Sequence, residues 1–178
     1  MPKRRQIRGD LPDTHEELSD FLQRLDKESD RAAVIVGAAY LDTALERVIA
    51  NFMIDDPKAV EQLFEPGGRF ADFSTKIVVA YCLGLIDPLE CADLRAVLQM
   101  RNEFAHAFAD LSLDQPTFAY RCANFHQLAL CVFTVPDPTA RDRLIGTVTS
   151  LGISLRYRAK STYHRPQMEP RTIAEELP

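Results

Sequence analysis

Ala32-Ala33-Val34-Ile35-Val36-Gly37-Ala38-Ala39-Tyr40-Leu41 is apolar at almost every position and offers no polar stripe at helical spacing. A helix without a polar face has no side to turn to water, so this segment is expected at the centre of a core. Ser29 and Asp30 just ahead of it are good N-cap residues, and the helix is expected to start near them. After Leu41 the pattern turns amphipathic. Leu41, Leu45, Ile49 and Phe52 fall on an inward stripe, and Asp42, Glu46, Arg47 and Asn51 on an outward one. A central helix of this kind needs others packed around it.

The rest of the chain supplies them. Thr14 and Glu17 form a capping box ahead of Leu18, Phe21, Leu22 and Leu25. Asp-Pro pairs at Asp56-Pro57, Asp87-Pro88 and Asp137-Pro138 each place a capping carboxylate before a proline suited to the first helical position. Asp114 with Pro116 is expected to open a further helix, marked by Phe118, Cys122, Phe125, Leu128, Ala129 and Val132. Glu65-Pro66-Gly67-Gly68-Arg69 reads as a loop. Phe70, Phe73, Ile77, Ala80 and Tyr81 then make an inward stripe that stops at Gly84. The helix opened by Pro88 passes through Leu94, Val97, Leu98 and Arg101 to about His106. The last runs from Pro138 to about Arg158, with Leu144, Ile145, Val148, Leu151 and Leu155 inward. No stretch alternates with a period of two. The expected fold is an all-α, single-domain bundle of about six or seven helices over residues 13–160. Residues 1–12 read as a flexible basic arm, and 161–178, polar and proline-bearing, as a disordered tail.

The 178 residues are enough for one domain with a full core, and 46% apolar with 26% charged residues is the balance of a soluble globular protein. A formal net charge of -5 argues against a non-specific nucleic-acid coat. Nucleic-acid contact stays open only through local basic groups: Lys3, Arg4, Arg5 and Arg8, joined by Arg156, Arg158 and Lys160 if the chain ends meet. Cys82, Cys91, Cys122 and Cys131 lie in apolar runs at spacings that suit neither zinc nor a redox pair, and read as buried thiols of a reducing cytosol. No apolar run is long enough to span a membrane. The expected location is the cytoplasm.

Residues 76–90 have the spacing of a helix-turn-helix, with Ala80 and Gly84 in the right places. Its reading helix would start at Asp87 and present Asp87, Glu90 and Asp93 to phosphates, which would repel them. A plain corner between two helices is the better reading. His15, His106, His126 and His164 stand without a ligand set, apart from Glu103 three residues before His106, so no metal or other cofactor is expected. His126, in an apolar stretch, reads as a hydrogen-bonded packing residue.

The remaining chemistry sits in Arg101-Asn102-Glu103-Phe104-Ala105-His106. Asn102 and His106 are four apart and share a helix face; Arg101 is offset from His106 by five. A fixed cation, an amide and an imidazole can grip a phosphate or carboxylate, shuttle a proton, or tie helix ends together. Arg101, Asn102, His106 and Lys76 are the candidate binding residues. In the alternative, catalytic reading, Arg101 steadies a pentavalent phosphate, His106 is the acid/base and Asn102 orients them, cleaving RNA through its own 2′-OH without metal.

Three blocks in sequence resemble the mannitol operon repressor family. They are Gly67-Gly68-Arg69-Phe70-Ala71-Asp72-Phe73-Ser74-Thr75-Lys76-Ile77, Ala80-Tyr81-Cys82-Leu83-Gly84-Leu85-Ile86, and the 101–106 run. The likeness covers roughly residues 30–160. The Arg-x4-His portion also resembles the HEPN superfamily of helical nucleotide-binding domains. The first resemblance implies an all-helical bacterial regulator of transcription, often a homodimer, which lacks an orthodox DNA-reading motif and works through contacts with a regulatory protein partner. It implies no enzyme. The second implies, as the alternative, a metal-independent endoribonuclease with Arg101 and His106 as its cleavage pair, two copies facing across a dimer.

Overall fold

A computed structural model describes residues 11–12, 14–127 and 137–162. Among the described residues there are seven helices and no strand: α1 (His15–Lys27), α2 (Asp30–Phe52), α3 (Pro57–Phe64), α4 (Phe73–Cys82), α5 (Pro88–His106), α6 (Pro116–Ala123) and α7 (Ala140–Ser161). None is long and apolar enough to cross a membrane.

The starts follow local chemistry. Thr14 and Glu17 close their capping box on α1. Ser29 caps α2 through Ala32 N–H, and Asp56 caps α3 through Ala59 N–H. Asp87 accepts from the N–H groups of Leu89 and Glu90 at 2.8 Å each, and the Glu90 carboxylate returns a bond to Asp87 N–H. Gly84, at φ +68°, turns the chain between α4 and α5, where a side chain would be strained.

Two expected starts are corrected. Asp137-Pro138 does not open α7. Thr139 does, in a capping box with Asp142. Asp114 does not cap α6: Gln115 holds the cap position without a side-chain bond, and Asp114 instead follows Ser112 in a loop. The α6 helix also stops at Ala123, so Phe125 is buried beyond it, while Leu128, Ala129 and Val132 lie outside the described residues. Phe70 precedes α4 rather than belonging to it, and packs on Phe64 with ring centroids 5.8 Å apart.

The α2 helix is the hub, packed against α7, α5, α4 and α1. Ala33, Val34, Leu41, Leu45, Val48 and Ile49 are fully buried in it. The apolar-all-round expectation holds less well at its first half, where Val36 and Ala39 reach the surface. The α2–α7 crossing is close because both helices carry a glycine there: Gly37 lies against Val148, and Gly152 against the Tyr40 ring. A Cβ on Gly152 would sit 2.6 Å from the Tyr40 hydroxyl. Leu94, Val97, Met100 and Phe104 of α5 and Leu144, Leu151 and Leu155 of α7 complete the core.

Three expectations about burial need correction: the outward placing of Glu46, the inward placing of Tyr81 and the burial of Cys82. Glu46 is only 7% exposed, and Lys76 beside it is buried as well. Tyr81, expected inside, is 43% exposed. Cys91 and Cys122 are buried, but Cys82 is exposed.

Polar groups tie the helices at fixed points. Arg141 of α7 donates to the carbonyls of Leu25, Asp26 and Glu28 at the end of α1, and to Asp30 at 2.8 Å. These carbonyls are orphans of a helix terminus, and a cation is a favourable partner for them. Asp30 also accepts from Leu113 N–H at 2.8 Å and the Ser112 hydroxyl at 3.1 Å, which fixes the loop after α5 to the start of α2.

Candidate functional site: the C-terminal turn of helix α5

The last two turns of α5 are held from inside by Phe104, fully buried with its ring 4.8 Å from that of Phe118 on α6. Arg121 of α6 meets Glu103 at 2.6 Å and lies over the Phe118 ring. Arg31 of α2 donates to Ala107 O at 2.5 Å and Ala109 O at 3.1 Å, just past the helix end. This frame makes the terminal turn a fixed platform. Arg101, Asn102 and His106 stand on its outer side, all exposed.

Arg101 Nη1 donates to Asn102 Oδ1 at 2.9 Å. The structure therefore joins those two side chains directly, with His106 one turn beyond Asn102 on the same face. Lys76 does not join them. It lies on α4 with its ammonium 2.7 Å from Glu46 and 2.8 Å from Asp42, and is spent inside the bundle.

The neighbouring carboxylates do not cancel the Arg101 charge. Glu103 is engaged by Arg121. Glu90 is buried and receives Arg158 through both of its oxygens, at 2.9–3.1 Å. Asp93 is buried and accepts from His126 N–H, Gln127 N–H and the His126 Nδ1 position. Two of the three carboxylates expected on an outer face at the start of α5, Glu90 and Asp93, thus point inward, while Asp87 stays exposed. His126 does make the hydrogen bond expected of it, but its side chain is nearly half exposed.

The bidentate Glu90 contact also removes Arg158 from any basic patch. Arg156 bonds Thr14 O at 2.9 Å. Lys3, Arg4, Arg5 and Arg8 lie outside the described residues.

In a single copy the cluster is open to water. Exposed charges are screened, so the arrangement suits recognition of an anionic or hydrogen-bonding group brought by another molecule. Phe108, two residues past His106 and wholly exposed, adds an apolar surface at the same end. Among the described residues no group of three His, Cys, Asp or Glu side chains could hold a metal. Sequence reasoning missed Arg31, Glu46, Arg121 and Arg141, whose partners are far away in the chain.

Seven helices among the described residues, with α2 at their centre and a polar cluster on an exposed helix end, define an all-α bundle. No protein-family model and no curated protein matches the chain. A solved structure does: a chain in the X-ray structure of the MtlR–HPr complex from Escherichia coli has a TM-score of 0.65 at 19% identity, over 78% of this chain and 98% of that one. MtlR is the mannitol operon repressor. The resemblance read from residues 67–106 is therefore matched by the fold.

Proposed function

We propose that this chain is a mannitol-repressor-like regulator of transcription, without enzymatic turnover, that acts through contact with a protein partner. The observation that carries the reading is the fold shared with a chain solved in a two-protein complex, MtlR with HPr. The exposed Arg101–Asn102 pair and His106 supply the recognition cluster, on a platform braced by Arg31 and Arg121. In this reading the working unit is residues 13–160, it functions as a cytoplasmic homodimer, and segments 1–12 and 161–178 stand outside the unit.

The test is direct. The purified chain is titrated with HPr of its own cells by calorimetry, and promoter occupancy is followed in those cells with and without the gene. Binding, with at least a tenfold loss in Arg101→Ala/His106→Ala and an unchanged melting temperature, supports the reading. No partner captured and no promoter altered removes it.

A second reading rests on one observation. Glu90, Asp93 and Glu103 all have partners other than Arg101. That leaves its guanidinium charge available to a phosphate. Two copies face to face would make a metal-independent endoribonuclease. The 2′-oxygen attacks phosphorus, His106 takes or returns the proton, and the 5′-oxygen leaves. EDTA-resistant cleavage leaving 2′,3′-cyclic phosphate ends, lost in His106→Ala, is its signature.

A further inference from the structure

Helices α1 and α7 are clamped to each other at two points. At one end Arg141 holds the final carbonyls of α1, and at the other Arg156 holds Thr14 O ahead of its first turn. Between the clamps the two helices do not close. They leave a groove of about 290 Å³, floored by Leu18 and Leu22 of α1 and Ile153 of α7. Ile153 and Tyr157 are 52% and 76% exposed, a large apolar surface for a helix that is otherwise buried on its inner side.

The shape of the groove specifies a helix. Its α1 wall uses positions 15, 18, 19 and 22, and its α7 wall positions 149, 153, 156, 157 and 160. Both are single helical stripes. The α7 stripe is about 16 Å long at 1.5 Å per residue. That length matches an amphipathic helix of about three turns, anchored at i, i+3/i+4 and i+7.

The charge specifies its sign. The chain carries a net -5, yet no aspartate or glutamate lines this groove, whereas Arg156 and Lys160 do. Arg156 spends one bond on the uncharged Thr14 carbonyl, so its charge is not neutralised there. A segment with carboxylates flanking its apolar stripe would meet both the floor and the rim.

We propose that the α1–α7 groove is a docking site for an acidic amphipathic helix of a partner protein, separate from the α5 cluster.

The probe is a fluorescein-labelled peptide of about twelve residues, with leucines at i, i+4 and i+7 and glutamates on the flanks. Its control carries lysine for each glutamate. Fluorescence anisotropy with the full chain should show saturable binding of the acidic peptide, at least tenfold weaker for the lysine peptide. Ile153→Asp and, separately, Arg156→Glu/Lys160→Glu should each weaken it about tenfold or more. Tyr157→Ser, at the most exposed lining position, keeps the test open if Ile153→Asp unfolds the chain. Arg101→Ala/His106→Ala should leave this affinity unchanged, so failure here and failure of the α5 reading are separable. Equal binding of both peptides, or no effect of the α7 substitutions, overturns the proposal. So does binding of anionic phosphatidylserine vesicles without binding of the peptide. A shift from dimer to monomer in Ile153→Asp, with no peptide bound by the native chain, assigns the groove to a second copy and equally overturns it.

Discussion

Lys76 Nζ lies 2.7 Å from Glu46 Oε2, bridging α4 to the central helix with both side chains almost wholly out of water. Asp42 Oδ1 lies 2.8 Å from the same ammonium. One cation thus faces two carboxylates. Glu46 looked like a surface residue because it falls on the outward stripe of α2, and Lys76 looked like a binding residue beside the α5 cluster. They turn out to face each other across the seam between α2 and α4.

Removing that cation should be costly. Lys76→Met leaves Glu46 buried and uncompensated, a change of about 3–5 kcal/mol by the behaviour of broken buried pairs. Lys76→Met/Glu46→Leu should recover most of the loss, since an apolar pair of similar volume is often as stable as an ionic one. Asp42, a quarter exposed, keeps access to water in both variants. Urea unfolding of the two variants decides it. A single variant within about 1 kcal/mol of the native chain would show that the pair contributes little.

Gly152→Ala should destabilise the α2–α7 crossing more than Gly37→Ala. The new methyl would enter the space of the Tyr40 ring, itself held by Phe21 with centroids 4.8 Å apart. Overpacking of this kind costs about 1–3 kcal/mol, against a gain of up to about 1 kcal/mol from replacing a helical glycine. At Gly37 the nearest atom is a Val148 methyl at 3.2 Å, which can give by a small shift. Adding Tyr40→Leu to Gly152→Ala should restore stability. Thermal melts that rank the two glycine variants the other way would sink this account of the crossing.

Helix starts were legible where one side chain decides them. Thr14 with Glu17, Ser29, Asp56 and Asp87 each bond an N–H within three residues, so the information is local. The start of α7 was misread because Asp137-Pro138 offered the same local signal two residues before Thr139, and only the geometry of the Asp142 return bond separates them. Exposure was legible for stripes of one character, such as Leu144, Val148, Leu151 and Leu155. It was not legible for Glu46, Glu90 and Asp93, because a buried carboxylate is stable only with a partner, and those partners lie on α4, on α7 and beyond α6. Of the site, the sequence located Arg101, Asn102 and His106 on one helix end, but placed Lys76 beside them. The α1–α7 groove has no local signature, since it depends on how far two helices stand apart.

The capping box of α7 should show itself in acid. The Thr139 hydroxyl and then the Thr139 N–H hold the Asp142 carboxyl below its ordinary range, against a smaller opposing effect of burial. A depressed carboxyl contributes stability that is present above its unfolded pKa, about 3.9, and lost as pH falls through the lower folded value. Thr139→Ala should therefore cost about 1 kcal/mol at neutral pH, as capping residues do. The difference from the native chain should shrink below about pH 4. Denaturant midpoints at pH 7 and pH 3 measure both. A deficit that is the same at the two pH values would mean Asp142 plays no part in the cap.

The thiols should separate by reactivity. Cys82 is exposed at the end of α4, whereas Cys122 is fully buried. Burial pushes the Cys122 thiol up to about 12, with Arg143 pulling it down and Asp30 raising it further. The neutral thiol is thus the native form, and its preference adds stability that is complete below the unfolded pKa of about 8.5 and lost as pH rises from there toward 12. Iodoacetamide at pH 8, with the sites resolved by mass spectrometry, should modify Cys82 rapidly and leave Cys91 and Cys122 untouched until denaturant is added, because the thiolate is the reacting species. Labelling of Cys122 at the rate of Cys82 in the native chain would contradict the packing of α6 against α7 on which its burial depends.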